Sequence, residues 1–167
     1  MKKFGWAILL SAVACTAKEP QPADTASLTV AAPQGDVAQA TSAVTPVSIK
    51  VYKTPTCGCC KSWVEHLEQN GFKVEVMDMP DLSSVKAKYG VKPELQACHT
   101  AVVGNYVVEG HVPADLILKM INEKPAIAGI AVPGMPMGSP GMEGGAKESY
   151  TVLSFDSTGK SSVYANR

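Results

Sequence analysis

The chain has 167 residues, enough for one domain and a tail. Its 15 basic and 15 acidic side chains cancel, and 46 % of residues are hydrophobic against 18 % charged. That balance fits a globular protein and leaves no basic surface for a nucleic-acid partner.

Met1-Lys2-Lys3 is a cationic head, and Phe4 to Ala14 is an apolar run too short to span a bilayer. Residues 1–14 are expected to be a secretory signal peptide. Ala12-Val13-Ala14-Cys15 resembles a bacterial lipobox, in which Cys15 becomes the lipidated first residue of the mature chain. The same residues also suit an A-x-A cleavage that would release a soluble periplasmic protein. The expected location is the periplasmic side of a bacterial envelope, with membrane contact only through a lipid on Cys15. Residues 15–46 are rich in Ala, Thr, Pro, Gln and Ser and lack aromatic residues, so they cannot offset their ordering entropy. They are read as a flexible tether with an end-to-end distance on the order of 30 Å.

The folded domain is expected over residues 47–167. Val47, Ile49 and Val51 alternate with polar residues as in a strand. Cys57-Gly58-Cys59-Cys60 follows and opens a helix whose apolar face is Trp63, Val64 and Leu67, stopped by Asn70-Gly71. Phe72, Val74 and Val76 give a second strand, and Asp81 caps a short helix ending at Gly90. Thr100–Val103 and Tyr106–Glu109 form a hairpin across Gly104-Asn105. Pro113 opens a last helix with Leu116, Ile117, Met120 and Ile121 on one side. This βαβ-α-ββα order predicts an α/β, thioredoxin-like domain up to about Lys124, its first crossover right-handed. Residues 126–146, dense in Gly, Pro and Met, are expected to form neither helix nor strand and to act as a flap. Residues 147–167 are expected to return as a C-terminal β-hairpin.

Cys57 and Cys60 are spaced C-x-x-C, with a third thiol at Cys59. A strand-to-helix junction places them at a helix N-terminus, where the dipole and free N–H groups favour thiolate. Thiolates bind metals and attack disulfides alike, so the motif alone leaves both uses open. A disulfide staple ranks lower, because one of the three cysteines stays unpaired and an adjacent pair bridges only with strain. Cys98-His99 stands just before the third strand, where thioredoxin-like domains face their active cysteines and usually carry a cis-proline. A fourth sulfur and an imidazole would then meet the cluster. His111, beside the hairpin end, and His66, on the first helix, are further candidate ligands. Met135, Met137 and Met142 lie in the flap as candidate thioether ligands, whereas Met77, Met79 and Met120 fall in strand or helix patterns and are assigned to the core. Soft thiolate and thioether donors select Cu(I) over Zn(II), Mg(II) or Ca(II), and zinc is the alternative if four ligands close a tetrahedron.

Four motifs in order carry a family resemblance: Cys57-Gly58-Cys59-Cys60 with Trp63; Ala97-Cys98-His99-Thr100; Gly110-His111-Val112-Pro113; and Val132-Pro133-Gly134-Met135-Pro136 with Gly138-Ser139-Pro140-Gly141-Met142-Glu143. Together they resemble the CopG-type copper-resistance proteins, from about Val47 to Arg167. The resemblance implies a thioredoxin-like fold in the envelope and a role in copper tolerance. It also implies a thiolate-bridged, multinuclear copper centre with Cu(I)/Cu(II) cycling. Its ligands would be Cys57, Cys59, Cys60 and Cys98, joined by His66, His99 or His111. The expected partners are copper ions and an envelope copper-export or electron-transfer protein. The alternatives are a copper chaperone without turnover and a thiol–disulfide oxidoreductase using Cys57 and Cys60.

Overall fold

The computed structural model describes residues 45–167. The expected signal peptide, Cys15 and the tether through residue 44 lie outside the described residues. Val47–Lys53 (β1), Gly58–Gln69 (α1) and Phe72–Asp78 (β2) come first, followed by Ser83–Lys88 (α2) and a 3-10 turn at Pro93–Leu95. His99–Val103 (β3), Tyr106–Glu109 (β4), Ala114–Glu123 (α3), Gly129–Ala131 (β5), Thr151–Phe155 (β6) and Ser161–Asn166 (β7) complete the chain. The result is a mixed α/β structure with one seven-stranded sheet, ordered β2-β1-β3-β4-β5-β6-β7. β1 and β2 run parallel across α1, β4 and β5 run parallel across α3, and the remaining neighbours are antiparallel. Among the described residues no helix is long and apolar enough to cross a membrane.

Local chemistry accounts for the element ends. Cys60, Trp63, Val64 and Leu67 recur at helical spacing and are the buried residues of α1. The helix stops where Gly71 takes a left-handed φ of 83°, open to residues without a Cβ. Ahead of α2, Asp81 Oδ1 accepts from the Ser83 N–H and hydroxyl.

The sheet separates two apolar layers, as alternating strand side chains must. Val108 and Ile130 join Trp63, Leu67, Ile117 and Met120 in one cluster. Their chain neighbours Val107 and Ala131 join Val91, Leu95 and Phe155 in the other. Helices α1 and α3 therefore cover one face, and the 3-10 turn lies over the other.

Two expectations are corrected. Gly129–Ala131, inside the stretch expected to hold no strand, is a strand hydrogen-bonded on both sides. All three residues are buried, so the segment has no polar alternation to announce it. It carries the sheet into the C-terminal hairpin, and the flap begins only after it. Met77, assigned to the core, is 41 % exposed. It lies on β2, an edge strand whose last four residues are all exposed. Met120 is fully buried as expected.

Gly129 sits where a Cβ would overlap the Val107 carbonyl oxygen and approach Phe155 Cζ to 2.8 Å. Gly129→Ala is expected to lower the urea midpoint, by about 1–3 kcal/mol of stability, with an unchanged slope. An unaltered midpoint would show that β5 shifts at no cost.

Candidate metal centre

The register of β3 against β1 pairs His99 with Lys53, so Cys98 arrives beside the turn that leads from β1 into α1. Cys57 is the N-cap of α1, its sulfur accepting from the Cys60 N–H at 3.3 Å. No acidic residue stands in the first turn to oppose the positive helix end. The sulfurs of Cys57, Cys59, Cys60 and Cys98 all lie within 4.8 Å of one another. Cys98 Sγ is 3.4 Å from Cys60 Sγ and 3.9 Å from Cys59 Sγ, and Cys57 Sγ is 3.5 Å from Cys59 Sγ. Two distant stretches of chain thus supply one sulfur cluster.

Cys57 and Cys60 are joined by a disulfide, with Cα atoms 5.3 Å apart, while Cys59 and Cys98 are free. The bond that the sequence ranked below free thiolates is therefore formed, because the i, i+3 spacing on a helix start brings those two sulfurs together. It leaves a pair of thiols rather than a lone one. Two electrons and two protons would convert the bond to thiols and make four sulfurs available.

Cys98 also belongs to a second group, with His99 and His111. Its sulfur is 3.1 Å from His111 Nε2 and 3.4 Å from His99 Nδ1. Both rings are fully buried. His99 lies against Trp63, with centroids 4.2 Å apart, and the Trp63 indole N–H donates to the Val112 carbonyl at 2.9 Å. His99 Nε2 is buried with no partner among the described residues. His111 Nδ1 lies 2.8 Å from the Pro140 carbonyl oxygen. A carbonyl only accepts, so Nδ1 carries the proton and Nε2 presents its lone pair toward Cys98.

Burial first, then the neighbouring Cys59, push the Cys98 thiol up to about 12. Burial holds His99 well below the usual imidazole range, with His111 and Lys86 adding to the effect, and burial likewise lowers His111. Both imidazoles are therefore neutral donors near pH 7.

The flap packs against the site, whose Cys57, Cys59 and Cys98 stay half-buried. Its Gly134 N–H donates to the Gln96 carbonyl just ahead of Cys98. At Gly141 a Cβ would stand 2.7 Å from the Cys59 carbonyl oxygen and 2.8 Å from the Trp63 nitrogen, so the flap backbone rests directly on the first turn of α1. Met135 is 52 % exposed, whereas Met137 and Met142 are half-buried. His66 is placed differently from the other two histidines. Its Nε2 accepts the Ala114 N–H at 3.2 Å, which caps α3, and burial lowers its pKa.

A second layer escaped the sequence reading. Glu109, fully buried, pairs with Lys86 and accepts from Thr100 and from the Ala97 N–H. A Glu closing the run Tyr106–Glu109 carries no sign of burial, and only the Thr100–Glu109 pairing across the hairpin could have suggested it.

Four soft sulfur donors with two neutral imidazoles suit a soft monovalent ion, and four thiolates also satisfy the ligand count of zinc. Residues 95–142 match the family described as "Protein of unknown function, DUF411". A comparison with curated proteins finds no match. Two solved structures, entitled "Copper resistance protein copG", Form 1 and Form 2, are similar to this chain. Each shows 47 % sequence identity and a TM-score of 0.69, covering 73 % of this chain and 98 % of the solved one.

A cation that takes the Cys98 sulfur near neutral pH must displace its proton, whereas the neutral histidines release none. Binding to reduced protein is therefore expected to tighten from pH 6 to pH 8, by roughly tenfold per unit for each proton displaced. A chelator competition should show that the dependence loses one proton in Cys98→Ser. An identical slope in both proteins would remove Cys98 from the ligands.

Proposed function

The chain belongs to the CopG-type copper resistance proteins, and we propose that it binds copper as Cu(I) between the sulfurs of Cys57, Cys59, Cys60 and Cys98. The observation that carries this reading is the meeting of Cys98 with the three helix-start cysteines, all four sulfurs within 4.8 Å. Thiolates bridge soft ions, so so few donors suffice for a multinuclear centre. His111 Nε2 and the unpartnered His99 are the nitrogen donors nearest that sulfur group. With His66 engaged at α3, its part is to fix the helix rather than to ligate. Met135, Met137 and Met142 offer further thioethers along the flap.

Loading requires that an external dithiol first reduce the Cys57–Cys60 bond to two thiols, becoming a disulfide itself, since a disulfide sulfur is a poor donor. Bound copper would supply one-electron chemistry between Cu(I) and Cu(II), and the buried imidazoles suit the higher state better than thiolates alone. The protein's own contribution is to hold the donors, exclude solvent with the flap and keep His111 in one tautomer. The β1-α1-β2 start, α2 and the β3-β4-α3 end support a thioredoxin-like reading of residues 47–124. The cationic head, apolar run and Cys15 support export and lipid anchoring on the periplasmic side. An envelope copper exporter or electron-transfer protein is the matching partner.

The closed Cys57–Cys60 bond favours one second reading, a thiol–disulfide oxidoreductase with Cys57 as attacking thiolate and Cys60 as resolving thiol. The extra sulfurs at Cys59 and Cys98 and two buried imidazoles have no task in that chemistry.

Anaerobic Cu(I) titration of reduced protein is expected to give more than one ion per chain and fewer in Cys98→Ser. A stoichiometry of one or below would exclude a bridged centre. Insulin reduction at catalytic rates by the metal-free protein would favour the oxidoreductase instead.

A further inference from the structure

The buried charge pair behind the site has no evident reason in stability. Lys86, 7 % exposed, places Nζ 2.5 Å from Glu109 Oε1 and 3.2 Å from Thr100 Oγ1. Thr100 in turn donates to Glu109 Oε2 at 2.6 Å. Desolvating such a pair is costly, and apolar replacements of both partners are often neutral or stabilising. What sets this pair apart is a third donor. The Ala97 N–H reaches Glu109 Oε1 at 2.7 Å, one residue before Cys98.

The next residue grips the other end of the same segment. The Gly110 N–H donates to the His99 carbonyl at 3.1 Å. Gly110 has a φ of 71°, and a Cβ there would overlap the Val132 carbonyl oxygen and stand 2.6 Å from Ala97 Cβ. Glu109 and Gly110 therefore clamp Ala97-Cys98-His99 from both ends. Strand alternation puts Thr100 on the sheet face opposite His99, so the clamp works from beneath the site through backbone groups and bonds none of its sulfur or ring-nitrogen atoms.

We infer that Glu109 is a positioning residue: through the Ala97 N–H it fixes Cys98 Sγ within the sulfur cluster, and Lys86 holds the carboxylate in place for that bond. The inference deepens the copper reading and rests on it for its meaning, but not for its test. Gln at 109 preserves the role without charge, since its oxygen accepts from Ala97 and its amide donates to Thr100. Leu at 109 removes the acceptor at similar volume.

The test uses the metal-free chain with the Cys57–Cys60 bond closed, so that within the described residues only Cys59 and Cys98 react with iodoacetamide, and the Cys15 peptide is read separately. Peptide mass spectrometry gives the rate at Cys98 relative to Cys59. K86M/E109Q is expected to match wild type, and K86M/E109L to alkylate Cys98 roughly tenfold faster. After reduction, Cu(I) loading should fall in K86M/E109L to the level of Cys98→Ser and persist in K86M/E109Q. Should K86M/E109L not fold, Glu109→Asp decides. It keeps the charge beside Lys86 but is one methylene too short to reach Ala97 as well, so Cys98 alkylation should rise there too. Equal Cys98 rates in wild type, K86M/E109L and Glu109→Asp would overturn the assignment, as would a Gln variant as impaired as the Leu one. If wild type and Cys98→Ser load equal copper, the copper reading fails while the alkylation rates still decide the positioning role.

Discussion

The pairing of Lys53 with His99 across β1 and β3 fixes what the rest of the site can be. It sets the chain arriving at Cys98 beside the chain leaving for Cys57, at one end of the sheet. A slip of one residue would turn His99 to the opposite face and carry Thr100 toward Trp63. The register is held by apolar alternation on both strands. Ile49 and Val51 pack with Ala101 and Val103 in the same core as α1 and α3. Packing far from any sulfur thus decides which sulfurs meet.

The two faces of the sheet divide the labour. One face carries Trp63, His99 and His111, which surround Cys98 with aromatic surface and nitrogen. The other carries Lys86, Thr100 and Glu109, which hold the backbone on which Cys98 rides. The cysteines have two stable outcomes in such surroundings, a covalent bond or shared ions. A closed Cys57–Cys60 bond stores the pair as poor donors for a soft ion, and it leaves the half-buried Cys98 thiol protonated. The local reducing power therefore governs access to the donors as firmly as the metal supply does.

Much of this was legible in the sequence where local signals were strong. The C-x-C-C turn, the Gly104-Asn105 hairpin and the apolar faces of α1 and α3 each announce one element, and those elements form. The meeting of Cys98 with the helix start was expected from the thioredoxin-like order of elements, and His111, a candidate ligand from its place beside the hairpin end, lies against Cys98. Silence came from short or wholly buried features. Gly129–Ala131 pairs on both edges yet is only three residues long, and its Gly looks like punctuation. Met77 is apolar but falls in phase with Lys73 and Glu75 on the polar face of β2, at the sheet margin where nothing covers it. Lys86 and Glu109 resemble ordinary surface charges, because their burial depends on a long-range meeting between α2 and β4. The Cys57–Cys60 bond is a redox state, which sequence does not encode.

The hydrogen bond from His111 to Pro140 ties ring chemistry to a loop movement. While the flap is down, the proton is pinned to the outer nitrogen and the inner one can only give its electron pair. Lifting the flap would release the ring to exchange its proton between nitrogens or rotate away from the sulfur. Raising the cover and freeing that ring from its fixed tautomer are therefore linked, so a lifted segment would leave the His111 lone pair able to turn away from Cys98.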